Sequence, residues 1–160
     1  MTIAVGDTLP GGMLTTMGES GPEPVNVEEF FKGKTVALFS VPGAFTPTCS
    51  ARHLPGFVEK AGDLKAKGVD EIACLAVNDA FVLGAWAQSQ DAVGTVTMLA
   101  DGTAAWSKSL GLDVDLSNFG MGVRSQRFSM VVTDGRVTHL FVEEGGAFEV
   151  SSAEHMLGAL

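Results

Sequence analysis

Lys34-Thr-Val-Ala-Leu-Phe-Ser-Val-Pro-Gly-Ala-Phe-Thr-Pro-Thr-Cys49 is the stretch on which the architecture turns. Its first half, Lys34–Val41, is a nearly continuous apolar run, the signature of a β-strand covered on both faces. Its second half leaves that strand through Pro42-Gly43 and enters a helix. Thr46 has the chemistry of an N-cap and Pro47 the geometry of the first helical position. Cys49 then falls in the first turn, where free backbone N–H groups and the positive end of the helix dipole favour a thiolate. The Thr46 hydroxyl, three residues earlier, reaches the same space. Open α/β sheets place their sites at such carboxyl ends of strands.

Outward from this stretch the chain alternates. Upstream, Gly and Pro residues (Pro10-Gly-Gly, Gly18, Gly21-Pro22, Pro24) mark turns, with a hairpin expected around Met13–Met17. Asn26-Val-Glu-Glu-Phe-Phe reads as one capped helical turn ending at Gly33. Downstream, Thr48–Lys67 has a helical pattern that Pro55-Gly56 is expected to bend, because the ring removes a bond to the Ala51 carbonyl. Glu71–Val77 is a second buried strand, Asn78-Asp79 caps a helix through Gln88, and Val96–Ala100 is a third strand ended by Asp101-Gly102. A helix is expected from Thr103 to Leu110. Phe128–Thr133 and Val137–Val142 flank Asp134-Gly135, a strong two-residue hairpin signal. Ser151-Ser-Ala-Glu carries a capping pattern before a helix to Leu160. The order implies an α/β fold, a mixed central sheet with helices on both faces, of the thioredoxin-like or flavodoxin-like kind.

The 160 residues suit a single domain, 1–160. A net charge of −9 makes a large phosphate-binding face improbable, so nucleic acid is not expected as a partner. No window has the length of a membrane span, and Met1-Thr-Ile-Ala-Val-Gly-Asp lacks the basic region and apolar run of a secretion signal. The two cysteines, Cys49 and Cys74, make neither a disulfide framework nor a zinc-type CxxC pair, so a reducing, cytoplasmic setting is expected. A mean hydropathy of +0.26 is high and points to apolar surface covered by a partner subunit.

Each candidate has a plainer reading. Most free cysteines are small buried apolar residues, and Cys74, in the middle of Ile72-Ala-Cys-Leu-Ala-Val, fits that description. Cys49 does not, because an inert thiol needs no strand-to-capped-helix setting. His53, four residues after Cys49, suggests a cysteine hydrolase or a metal site. No further ligands stand at sensible spacing, since His139 and His155 are scattered, so no metal or other cofactor is expected and a packed or exposed helix histidine is the better reading. Arg52 occupies the position where a CxxC oxidoreductase would need its second cysteine. Phe119 and Met121, in Ser117-Asn-Phe-Gly-Met-Gly-Val, suit either a pocket rim or dimer face or a plain flexible loop. Phe45, Phe81 and Trp86 suit pocket, interface or core alike.

Pro42-Gly-Ala-Phe-Thr-Pro-Thr-Cys49 resembles the Pro-x-x-x-Thr-x-x-Cys active-site loop of the peroxiredoxins. With Ser50, His53-Leu-Pro-Gly-Phe57, Val77-Asn-Asp-Ala-Phe81 and Arg127-Phe-Ser-Met-Val131 it is similar to their type II group, which includes peroxiredoxin five, over nearly the whole chain. The resemblance implies a thioredoxin-like fold and reduction of hydrogen peroxide and organic hydroperoxides. It makes Cys49 the nucleophile that becomes a sulfenic acid. It makes Arg127, rather than Arg124 in the loop before it, the cation beside the sulfur, Thr46 a hydroxyl donor to peroxide or sulfur, and Pro42 a shield. Thr48, through its backbone, and Phe45 and Phe119, at the pocket, are the expected substrate contacts. Some type II members resolve the sulfenic acid with a second cysteine before the last helix; here Val150 stands in that place. One-cysteine turnover follows, with an external thiol as reductant: glutathione with glutaredoxin, or else thioredoxin. A homodimer is implied as well. The alternative is a redox-sensing or partner-binding module that passes Cys49 sulfenylation to another protein.

Overall fold

The computed structural model describes residues 2–160. Strand β3 (Thr35–Val41) lies in the interior of a seven-stranded sheet and is buried along almost all of its length. It pairs in parallel with β4 (Glu71–Ala76) and antiparallel with β8 (Phe128–Thr133). The full strand order is β2 (Gly21–Asn26), β1 (Met13–Gly18), β5 (Thr97–Ala100), β4, β3, β8, β9 (Arg136–Val142). The amino-terminal hairpin therefore extends one edge of the sheet, through β1 against β5, a long-range pairing invisible in local pattern.

Successive side chains of a strand point to opposite faces, and β3 feeds two cores accordingly. Ala37, Phe39 and Val41 pack with residues of α2 (Leu54–Glu59), α3 (Ala61–Ala66), α4 (Ala80–Ser89) and α6 (Ala153–Ala159). Val36 and Leu38 pack with residues of α1 (Val27–Phe31) and α5 (Ala105–Leu110). This two-sided burial is why the sequence of β3 lacks an apolar/polar alternation. The mixed sheet with helices on both faces is the expected architecture.

Local signals place most element ends. Asn26 accepts from Glu29 N–H to cap α1, and Asp79 accepts from Val82 N–H to cap α4. Asp134 and Gly135 take positive φ values of 48° and 78°, the twist a two-residue hairpin needs. Elsewhere the structure departs from the expectation. Helix α5 begins at Ala105 rather than Thr103, because Ala104 is left-handed (φ 63°); the Asp101 carboxylate then accepts from the Trp106 and Ser107 amides. The cap of α6 is Ser152, accepting from His155 N–H, one residue later than the capping pattern indicates, because the Ser151 hydroxyl is engaged by Glu143. Arg124 lies not in a loop but in β7 (Val123–Ser125), which pairs with β6 (Asp113–Asp115) in a small second sheet.

The expected Thr48–Lys67 helix is remodelled most. After opening at Pro47 and Thr48 it widens into a π-type turn over Cys49–His53, closed by Leu54 N–H donating to the Cys49 carbonyl five residues back. The extra residue in that turn lets Pro55 enter the first turn of α2, where its missing N–H costs nothing. The break falls instead at Lys60, between α2 and α3. Among the described residues, no helix is long and apolar enough to cross a membrane.

Candidate active site

The loop leaving β3 is tied down from three directions. The Thr46 hydroxyl donates to the Gly43 carbonyl at 2.8 Å, and the Asn78 side chain accepts from Ala44 N–H at 3.0 Å. Arg124 donates to the carbonyls of Met121 (2.9 Å) and Pro42 (3.3 Å), which ties Pro42 to the β7 segment. Gly43 permits this closure: a Cβ there would lie 3.1 Å from the Arg124 guanidinium and 3.3 Å from Thr46 Cγ2. Phe45 pays for the tight path with a left-handed backbone, φ 65°. The helix opens at Pro47, directly after Thr46, and its first bond runs from Ser50 N–H to the Thr46 carbonyl at 2.9 Å. The Trp86 indole N–H donates to Ser50 Oγ at 2.9 Å and fastens the π-type turn to α4.

Arg127 reaches the turn because of strand register. Ser40 of β3 lies opposite Phe128 of β8, so the residue before Phe128 sits where the loop departs. Its guanidinium forks. One nitrogen donates to Cys49 Sγ at 3.0 Å and the other lies 2.8 Å from His53 Nδ1. Cys49 is fully buried, so charge on its sulfur must be balanced from within the protein, and this fork supplies the balance.

His53 is fully buried against Phe39, Phe57 and Phe148. Its Nε2 lies 2.9 Å from the Ser151 carbonyl, an acceptor only, so Nε2 carries the proton and Nδ1 accepts from Arg127. Burial first, and the Arg127 cation second, lower its pKa to about 3. The imidazole is thus neutral at physiological pH and bonded through both nitrogens. Phe148 covers the pair, 4.9 Å from the His53 ring and 5.9 Å from the Arg127 guanidinium.

Cys74 lies in β4 opposite Phe39, fully buried. Burial, followed by the nearby Cys49, pushes its thiol well above the usual range. Val150 sits in the segment before α6, its amide donating to Glu143 at 2.9 Å. Phe45 and Phe119 stand out in solvent, 55% and 78% exposed, as does Phe81, whereas Trp86 is core. Among the described residues no group of three or more His, Cys, Asp or Glu side chains is placed to hold a metal ion.

Several expected residues therefore converge: Cys49 and Arg127 in direct contact, with Thr46 and Pro42 in the loop beside them. Thr46 differs in one respect, since its proton is committed to the Gly43 carbonyl and its oxygen is left as an acceptor. Sequence reasoning missed the part played by His53. Its spacing from Cys49 was visible, but the partner that gives it meaning lies 74 residues away. Phe148 and Glu143 carried no local signal at all.

A model described as Redoxin matches residues 4–157. The chain is 52% identical over 164 residues to a rice protein named Peroxiredoxin-2E-2, chloroplastic, covering 99% of this chain and 73% of that one. It is similar to the crystal structure of reduced Prx3 from Vibrio vulnificus in complex with hydrogen peroxide (TM-score 0.95, 52% identity, 99% of each chain covered). It is also similar to a Plasmodium falciparum antioxidant protein described as a 1-Cys peroxiredoxin (TM-score 0.89, 29% identity, 96% of each chain covered).

Proposed function

The chain belongs to the Redoxin family and is a peroxiredoxin, a thiol-dependent peroxidase; from that premise we propose that Cys49 is its peroxide-reducing residue and that it turns over with one cysteine. The observation that carries the assignment is the 3.0 Å bond from Arg127 to Cys49 Sγ.

The Cys49 thiolate attacks the terminal oxygen of ROOH. An S–O bond forms, the O–O bond breaks, and the departing alkoxide or hydroxide takes up a proton to leave as alcohol or water. Sulfur loses two electrons and becomes the sulfenic acid. Negative charge develops on the departing oxygen, and the guanidinium already at the sulfur is placed to stabilise it. The Thr46 oxygen accepts from the peroxide O–H and orients it, while Pro42 and the Thr48 amide border the approach. Phe45 and Phe119, both exposed, are our candidates for the outer contacts of the substrate.

Recycling uses an external thiol, which attacks the sulfenic acid with loss of water to give a mixed disulfide; a second thiol then frees Cys49. Glutathione with glutaredoxin is our first choice of reductant and thioredoxin our second. The burial and raised pKa of Cys74 support this scheme, because a buried protonated thiol is a poor resolving nucleophile. Exposed Phe45, Phe81 and Phe119 support a homodimer. The two free cysteines fit a reducing compartment such as the cytoplasm.

Mass spectrometry after one equivalent of peroxide tests the reading. Cys49 gains one oxygen and, when glutathione is added, becomes its adduct, while Cys49→Ser consumes no peroxide. A Cys49–Cys74 bridge would overturn the one-cysteine scheme, and an unimpaired Cys49→Ser would overturn the assignment itself.

A further inference from the structure

Glu143, just beyond β9, is a buried carboxylate with no cationic partner in a salt bridge among the described residues. Backbone and hydroxyl donors surround it instead. Glu149 N–H reaches its two oxygens at 3.0 and 2.9 Å, Val150 N–H lies at 2.9 Å, Ser151 N–H at 2.8 Å and Ser151 Oγ at 2.6 Å. Burial opposes the charge, but the Ser151 hydroxyl and the Glu149, Ser151 and Val150 amides outweigh it and hold the carboxyl below its usual range.

The segment so gripped ends at Ser151, whose carbonyl lies 2.9 Å from His53 Nε2. His53 in turn holds one arm of the Arg127 guanidinium, and the other arm lies on Cys49 Sγ. The Glu143 backbone N–H donates to Arg127's own carbonyl at 3.0 Å. The bonds therefore form a closed ring. It runs from the Arg127 backbone to Glu143, through the Glu143 carboxylate to Ser151, to His53, and back to the Arg127 side chain. Both ends of Arg127 are fixed by the same residue, the backbone end by the Glu143 amide and the side-chain end through its carboxylate.

We infer that Glu143 is a positioning residue for peroxide reduction, acting by fixing the Ser151 carbonyl and, through His53, the guanidinium on the Cys49 sulfur. The inference rests on the proposed roles of Cys49 and Arg127. A carboxylate suits the position because all of its neighbours in the ring are donors. A carboxamide of the same shape brings an NH₂ group against backbone N–H groups, so at least one bond is replaced by a donor–donor contact.

The test is a double-mutant cycle on the full chain with Glu143→Gln and Arg127→Met. It reads the second-order rate constant for hydrogen peroxide and, separately, the rate of Cys49 alkylation by iodoacetamide. Displacing a reacting group by about 1 Å costs up to roughly a hundredfold in rate. Glu143→Gln, kept well below its melting temperature, is therefore expected to slow peroxide reduction by roughly tenfold or more and alkylation by much less. In the Arg127→Met background, Glu143→Gln is expected to have no further effect on the peroxide rate.

A merely structural role predicts a lower melting temperature with the native rate in the folded protein, and that result overturns the inference. Additive losses in the double variant also overturn it, because they show Glu143 acting by a route other than Arg127. If Arg127→Met is itself as fast as the native chain, the proposed role of Arg127 fails instead. Should Glu143→Gln not fold, Ser151→Ala removes one of the donors and keeps the carbonyl. It is expected to give a smaller loss of the same kind, again absent beside Arg127→Met; a native rate there overturns the inference.

Discussion

Replacing Arg127 with methionine separates two duties of one side chain. The guanidinium bonds Cys49 Sγ at 3.0 Å and His53 Nδ1 at 2.8 Å, and both partners are fully buried. A hydrogen bond in which one member is charged contributes about 1.5–3 kcal/mol net. At about 1.4 kcal/mol per factor of ten, losing the bond to sulfur slows peroxide reduction roughly 10- to 100-fold. The second duty concerns stability. Without Arg127, His53 Nδ1 is a buried acceptor lacking a donor, which costs about 1–3 kcal/mol. Stopped-flow mixing with peroxide, followed through tryptophan fluorescence, reads the first effect; Trp86 is bonded to Ser50, beside the reacting sulfur. Urea unfolding reads the second. A variant destabilised as expected but within twofold of the native rate would refute the reasoning, since the guanidinium would then serve only to satisfy His53.

Three further outcomes follow from other contacts. Thr46→Val, which keeps the branched shape but removes the hydroxyl on Gly43, should slow peroxide reduction roughly tenfold, with Thr46→Ser restoring most of it; equal rates for Val and Ser would remove Thr46 from the mechanism. Cys74→Ala should cost about 1 kcal/mol of stability and leave glutathione-supported turnover within twofold; loss of turnover would make Cys74 a resolving thiol. His53 titrates at about 3 in the folded chain against 6.5 when unfolded. Between those values only the unfolded chain takes the proton, so stability falls with decreasing pH by up to about 1.4 kcal/mol per unit. Chemical denaturation of the native chain and His53→Gln across that window should show a shallower slope in the variant, and parallel slopes would contradict it.

What could be read in advance was whatever short-range chemistry specifies. The apolar run of β3, the caps at Asn26 and Asp79 and the Asp134-Gly135 turn all act within a few residues, and the structure has them. The π-type turn was not legible, because Pro55 announces only that a bond is missing and not how the chain absorbs it. The edge position of the first hairpin depends on β5, more than seventy residues onward. In the site, Cys49 stood out from its setting, whereas Arg127 was preferred over Arg124 by resemblance alone. The Ser40–Phe128 register supplies the physical reason, and no local pattern encodes register between strands so far apart.

That register carries a constraint on how this molecule can vary. Side-chain direction in a strand flips with each residue, so an odd insertion between Arg127 and the β8 pairing would aim the guanidinium at the wrong side of the sheet. An even one would restore its aim but carry it about 7 Å along the strand, out of reach of the sulfur. Descendants of this chain can lengthen the loops joining other elements, but the spacing from Arg127 to Phe128 is frozen in phase.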